Sequence, residues 1–256
     1  MELILLRTAL APCLVLLVST ASHCLGPRFG GHLLGAPTTT GPFLLVVCLS
    51  SGPAATARAS NGSVAGQLAV ACFCLAYGRF ASVFRPSATL ALALAIATLA
   101  GAAGTVLGNV WLTAGLAITV IVAGLLTWPA STAPHQPSDH ARAWEIPARM
   151  ALSGMTVLAA AVVAKVVGSF AGGMLSSLPV LLGIVTPSVH RRSGASAASD
   201  MMRGAMMSAV STISFLLVLS CELVPLGPVP GFLLALAAMV MTDCLVRASV
   251  PRLTAV

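Results

Sequence analysis

Two proline-centred stretches hold the residues best suited to chemistry. They are Gly35-Ala36-Pro37-Thr38-Thr39-Thr40-Gly41-Pro42 and Ser176-Ser177-Leu178-Pro179, the second continuing through Gly183 to Thr186-Pro187. A proline inside a helix lacks the amide proton and crowds the carbonyl four residues back, so Pro37, Pro42, Pro179 and Pro187 mark expected kinks or breaks. Freed carbonyls, half-helix ends and the hydroxyls of Thr38, Thr39 and Thr40 can together hold a small solute, which Gly41 and Gly183 let approach the backbone closely. The same hydroxyls can instead re-satisfy the freed carbonyls, leaving kinks that only shape packing. Both readings stay open at this level.

Other polar residues fall inside or beside long apolar runs, where they are costly: His32, Asn61, Gln67, Lys165, Asp200, Arg203 and Asp243. Asp200 and Arg203 are three apart, which puts them on one helix face as a neutralising pair or as side chains that snorkel to headgroups. His32 reads as a packed or interfacial histidine. Cys72-Phe73-Cys74 is one residue short of C-x-x-C and has no histidine or second cysteine pair at zinc spacing, so neither metal nor cofactor is expected. No nucleophile sits beside a base, and no glycine loop is spaced to cradle phosphate, which disfavours an enzyme.

The elements that must position these residues are membrane helices. Of the residues, 58% are apolar and 7% charged, with a mean hydropathy of +1.01, against roughly 25% charged in soluble domains. Apolar runs of membrane-spanning length fall at 3–22, 29–50, 54–77, 87–106, 110–128, 147–167, 170–189, 201–221 and 229–246, giving about nine transmembrane helices in an all-α membrane protein. Residues 87–128 carry no charge, and as one helix they would reach about 63 Å, so the chain must fold back, at Gly104 to Asn109. The hydrophilic segment 129–145 reads as a linker.

Sliding the chain over itself by 142 residues aligns 7–95 with 149–237 without a gap. Each window holds nine glycines and six coincide: Gly26/Gly168, Gly30/Gly172, Gly31/Gly173, Gly41/Gly183, Gly52/Gly194 and Gly62/Gly204. Two four-helix repeats, 1–108 and 147–256, are therefore expected around a linking helix and linker at 109–146. The run 3–22 has an internal counterpart at 147–167, so it is expected to be a retained helix. Five spans before the second repeat invert it relative to the first. Of the thirteen Lys and Arg, ten fall on one side of this topology and three, Arg7, Arg58 and Lys165, on the other. That asymmetry places the amino terminus outside and the carboxyl terminus in the cytoplasm of a multi-pass protein of the inner (cytoplasmic) membrane. The basic residues form no stripe, so nucleic acid is not an expected partner.

The segments Leu25-Gly26-Pro27-Arg28-Phe29-Gly30-Gly31, Ala36 to Pro42, Gly52-Pro53 and Cys72-Phe73-Cys74-Leu75-Ala76-Tyr77 resemble an uncharacterised bacterial family of duplicated-repeat integral membrane proteins. Ser50-Ser51 stands where that family often has an acidic residue before the Gly-Pro. Each half is more faintly similar to GlpM-type small membrane proteins. The resemblance implies a duplicated helical membrane fold and names no substrate. The architecture leads to an expected small-solute permease with a midplane site between the second and seventh spans. Its alternative is a non-transporting scaffold or accessory subunit of an envelope assembly system. The expected partners are the lipid bilayer and a small solute, with a homo-oligomer left open.

Overall fold

The computed structural model describes residue 37 and residues 39–128 and 145–253, and of 145–150 and 250–253 the backbone only. These residues are helical, with no strand among them. The helices are α1 (Thr40–Ser51), α2 (Pro53–Phe80), α3 (Pro86–Val106), α4 (Val110–Leu126), α5 (Glu145–Val166), α6 (Ser169–Ser176), α7 (Val180–Leu226) and α8 (Pro228–Leu253). Four helical stretches are long and apolar enough to cross a membrane: Pro53–Phe80, Pro86–Val106, Ser169–Leu226 and Pro228–Ser249. Shorter apolar helices lie at Thr40–Ser51, Val110–Leu126 and Ala151–Val166. The run 3–22, the first half of the second span and the linker 129–144 lie outside the described residues.

The centre is α2. Of its most apolar window 83% is buried inside the protein, against 28% for α3 and 11% for α8, whose outer faces are apolar and exposed. Apolar side chains gain little by leaving lipid for protein, so close packing has to hold the bundle together, and small residues permit it. Every third or fourth residue of α2 is small, and the glycines mark the tightest approaches. A Cβ on Gly62 would run into the Phe170 carbonyl, and one on Gly173 into the Ala59 carbonyl, so α2 and α6 touch backbone to backbone. Gly172 lies against Ala160 and Ala164 of α5, and Gly78 is covered by the Trp128 indole. Leu68, Phe73 and Tyr77 of α2 and Met202, Met206 and Leu216 of α7 are buried in one shared apolar core.

Single glycines turn the chain. Gly52, between α1 and α2, has φ 83 and ψ 175; Gly194, inside α7, has φ 84 and ψ 175; Gly227, before α8, has φ 85 and ψ 172. That region of backbone space is open essentially to glycine alone. Pro53 and Pro228 follow at the first helical position, where the missing N–H is harmless. The charge-free stretch 87–128 folds back as expected, at a turn of Leu107, Gly108 (φ 60) and Asn109, whose side-chain oxygen caps α4 by accepting from Trp111 N and Leu112 N.

Gly194 reverses α7. His190 Nδ1 meets Tyr77 Oη at 3.2 Å and Ser199 Oγ donates to Gly78 O at 3.3 Å. In a straight helix those two residues would lie about 13 Å apart along the axis, yet they reach neighbouring residues of α2. The first arm of α7 (180–193) therefore runs to the Tyr77 end of α2. The second arm (195–226) runs back antiparallel to α2, as Ser60 Oγ donating to Leu216 O at 2.8 Å shows.

Candidate functional site

The chain of the seventh span is interrupted where Pro179 predicts. α6 ends at Ser176; Ser177 (φ −98, ψ 0) and Pro179 (φ −76, ψ 48) leave helical geometry; α7 begins at Val180. The break lies at mid-depth, because Ser177 and Met174 abut Gly66, halfway along α2, while Ser63 Oγ donates to Gly173 O at 3.0 Å.

The start of α1 meets this break directly. Thr39 Oγ1 donates to Ser176 O at 3.1 Å, and Thr40 Oγ1 donates to the same carbonyl at 3.3 Å. The Thr40 and Ser177 hydroxyls are 3.1 Å apart. Thr40 has one proton; if it goes to the carbonyl, Ser177 donates to Thr40. Ser176 Oγ in turn donates to Gly173 O at 2.7 Å. From this meeting point α1 runs to the Gly52 end of α2 and the first arm of α7 to the opposite end. Two helix amino termini, each with a partial positive charge, thus begin side by side at mid-depth and point away from each other.

The remaining candidates divide. Thr38, His32, Gly30 and Gly31 lie outside the described residues. The Pro37 carbonyl accepts from Gly41 N at 2.8 Å, and the Pro179 carbonyl accepts from Gly183 N at the same distance. Among the described residues nothing covers Gly41: a methyl group in place of its α-hydrogen would meet no described atom within 4 Å. Gly183 lines a mostly apolar cavity of about 400 Å³ with Pro179, Leu90, Leu94 and Leu152. Two prolines do not break their helices. Pro42 falls in the first turn of α1, where its missing N–H would have no helical partner anyway. Pro187 sits inside α7, which keeps helical dihedrals through it and departs from them at Gly194. The expected breaks at Pro42 and Pro187 are corrected accordingly. Pro187 crowds the carbonyl of Gly183, where no Cβ hinders adjustment, and a membrane helix can absorb such a freed carbonyl.

Asp200 is buried and Arg203 half-buried on the second arm of α7, and both side chains are engaged. Gln67 Oε1, Ser153 Oγ and Thr186 Oγ1 are buried with no hydrogen-bond partner among the described residues. Ser153 lies on α5 next in sequence to Leu152, which lines the cavity beside the break, and Thr186 lies on the first arm of α7 three residues after Gly183. Sequence reasoning named Gln67 and passed over Ser153, which looks like any small residue of an apolar helix. Cys72 and Cys74 are free thiols packed in α2.

No family model, no curated relative and no solved structure matches this chain. The class that the geometry defines is a helical bundle with several long apolar helices, compatible with a membrane protein. Its function has to be argued from the paired break.

Proposed function

We propose that the protein is a small-solute permease built from two inverted repeats, with its site where α1 and the first arm of α7 begin. The observation that carries this reading is the contact of Thr39 and Thr40 with Ser176 and Ser177, made by exchangeable hydroxyl bonds between two helix ends of opposite direction. Half-helix ends at mid-depth, one from each half, are the arrangement in which transporters hold a solute. Further support comes from Gly52 and Gly194, which occupy equivalent positions of the 142-residue offset and share their dihedrals within a degree. Pro86 and Pro228, also equivalent, both stand at helix starts.

In this arrangement the hydroxyls satisfy one another and the site is closed. Gln67, Ser153 and Thr186 are the groups this closed packing leaves unsatisfied, each at a cost of about 1–3 kcal/mol. Rocking of one half against the other would replace the hydroxyl contacts with solute and bring water to the orphans. No described carboxylate or cation takes part in the Thr39, Thr40, Ser176 and Ser177 contacts, so the favoured solute is polar and uncharged, or carries an electronegative group toward the two helix ends.

The mutual satisfaction of Thr40 and Ser177 also fits the scaffold alternative, in which the breaks only shape packing. Uptake of a panel of uncharged polar solutes into liposomes separates the two. The permease reading expects flux for at least one solute and its loss in Gly41→Leu, a change that meets no described atom within 4 Å of the new Cβ. A well-folded Gly41→Leu protein with undiminished flux would move the site elsewhere, and no flux for any solute would favour the scaffold.

The orientation proposed is the one in which the Tyr77 end faces the cytoplasm. Arg79, Arg85, Arg191 and Arg192 gather at that end, whereas Arg58 and Lys165 lie at the other, the asymmetry expected of an inner-membrane protein.

A further inference from the structure

A second cavity, of about 450 Å³, lies at the opposite end from Tyr77, between the first turns of α2, the α3–α4 turn and the start of α6. Four polar side chains line it, of which the Thr113 hydroxyl is spent on the backbone carbonyls of Gly104 and Asn109. Arg58 and Asn61, three apart on one face of α2, both line it. Arg58 makes no ion pair and no hydrogen bond among the described residues. Asn61 Oδ1 is buried without a partner. Asn109 spends its oxygen on capping α4, and its amide nitrogen donates to no described residue. The rest of the wall is Ala65, Gly104, Phe170 and other small or apolar groups. Trp111, 60% exposed at the rim, is of the kind that settles at headgroup level.

An unpaired guanidinium calls for an oxyanion, and the amide nitrogen beside it adds a donor for the same group. The buried amide oxygen of Asn61 calls for a donor, and a hydroxyl supplies one. A cavity of this size is several times larger than a bare phosphate needs, and its apolar wall suits carbon. We infer that this cavity binds a phosphate ester bearing a neighbouring hydroxyl, the chemistry of an anionic phospholipid headgroup such as that of phosphatidylglycerol. Guanidinium is the side chain best matched to phosphate because its N–H groups form a planar fork. The lipid source is favoured over a soluble ester because the α3–α4 turn that supplies Gly108, Asn109 and Trp111 to the cavity is flanked by exposed apolar residues: Val106 is 86%, Leu107 42% and Leu112 61% exposed. This inference stands apart from transport and holds for a scaffold equally.

Native mass spectrometry of the delipidated protein tests it. Phosphatidylglycerol should bind in preference to phosphatidylcholine of the same chains, and Arg58→Gln should weaken that binding about tenfold or more, the loss of one charge-assisted bidentate contact, with phosphatidylcholine adducts unchanged. Arg58→Lys should fall between the two. Asn61→Leu fills the cavity without removing the charge and should weaken phosphatidylglycerol binding as well. Excess β-glycerophosphate should leave the lipid in place; displacement by it would overturn the lipid source and assign the site to a soluble ester. If Arg58→Gln and Asn61→Leu, both with wild-type thermal unfolding, bind phosphatidylglycerol as the wild type does, the site is wrong. Should one variant fail to fold, the other decides alone.

Discussion

Thr40 and Ser177, separated by 137 residues in sequence, place their hydroxyls 3.1 Å apart at the middle of the bundle. Each belongs to a helix end, and together with Thr39 and the Ser176 carbonyl they close the gap between two chain segments that run to opposite faces. Replacing Thr40 with Val keeps the volume and removes the hydroxyl, leaving Ser177 without its partner. The expected loss is about 0.5–1.5 kcal/mol, since hydrogen bonds within membrane bundles contribute modestly. Thr39→Val should have a smaller effect, because Thr39 is half-buried and shares an acceptor that Thr40 keeps engaged. Thermal or denaturant unfolding in detergent gives the comparison; an equal effect of the two would contradict the assigned geometry.

Glycine substitutions should sort by what lies over each residue. Gly62→Ala and Gly173→Ala push a methyl against the backbone carbonyls of Phe170 and Ala59, and should destabilise by about 1–3 kcal/mol. Gly41→Ala meets no described atom and should be neutral or slightly stabilising. If all three behaved alike, the close α2–α6 contact would be in error.

The turn glycines make a different prediction, since no atom crowds them. Gly52→Ala and Gly194→Ala should each cost about 1–3 kcal/mol through backbone strain alone. They lie at opposite ends of α2, so the double variant should be additive within about 0.5 kcal/mol. Unfolding of the two single variants and the double one measures this, and a tolerated Gly194→Ala would mean that α7 does not reverse there.

How much of this was legible in the sequence depended on the kind of signal. The helical class, with several helices long and apolar enough to cross a membrane, and a fold-back within Gly104 to Asn109 followed from the length of charge-free apolar sequence, a signal set by bilayer thickness. The break at Pro179 followed from a missing N–H, but the same rule misplaced breaks at Pro42 and Pro187, because a helix start and a carbonyl on a Cβ-less residue both absorb a proline. Gly194 was counted as a matching glycine without being seen as the reversal itself. Arg191 and Arg192 suggested a loop between spans, whereas one residue at φ 84 turns the chain and the arginines stay helical. The cavity at Arg58 was out of reach: Asn61, Asn109 and Phe170 come from three segments whose meeting depends on which face of α2 packs where, and small residues cover nearly every face of that helix.

Membrane orientation yields its own test. In a background lacking the seven native cysteines, Asn109→Cys, exposed at the α3–α4 turn, should react with an impermeant thiol reagent added outside intact cells. Arg85→Cys, exposed before α3, should react after permeabilisation alone. The reverse pattern would invert the proposed topology, and labelling of both from outside would remove α3 as a crossing.

The central claim is that the paired break opens to water, and it can be tested without knowing the solute. Ser177→Cys, buried and nearly isosteric, is placed in the same cysteine-free protein in liposomes and treated with a water-soluble, positively charged methanethiosulfonate, which attacks the thiolate and therefore requires hydration. Leu99→Cys, 72% exposed on α3 and away from the cavity beside the break, is the reference. The account predicts that Ser177→Cys reacts at least about tenfold faster than Leu99→Cys, from each side of the membrane, because thiolates form only where water reaches them. Equal and negligible reaction of both cysteines from both sides would mean that Thr40 and Ser177 never separate, which contradicts the permease and leaves the scaffold.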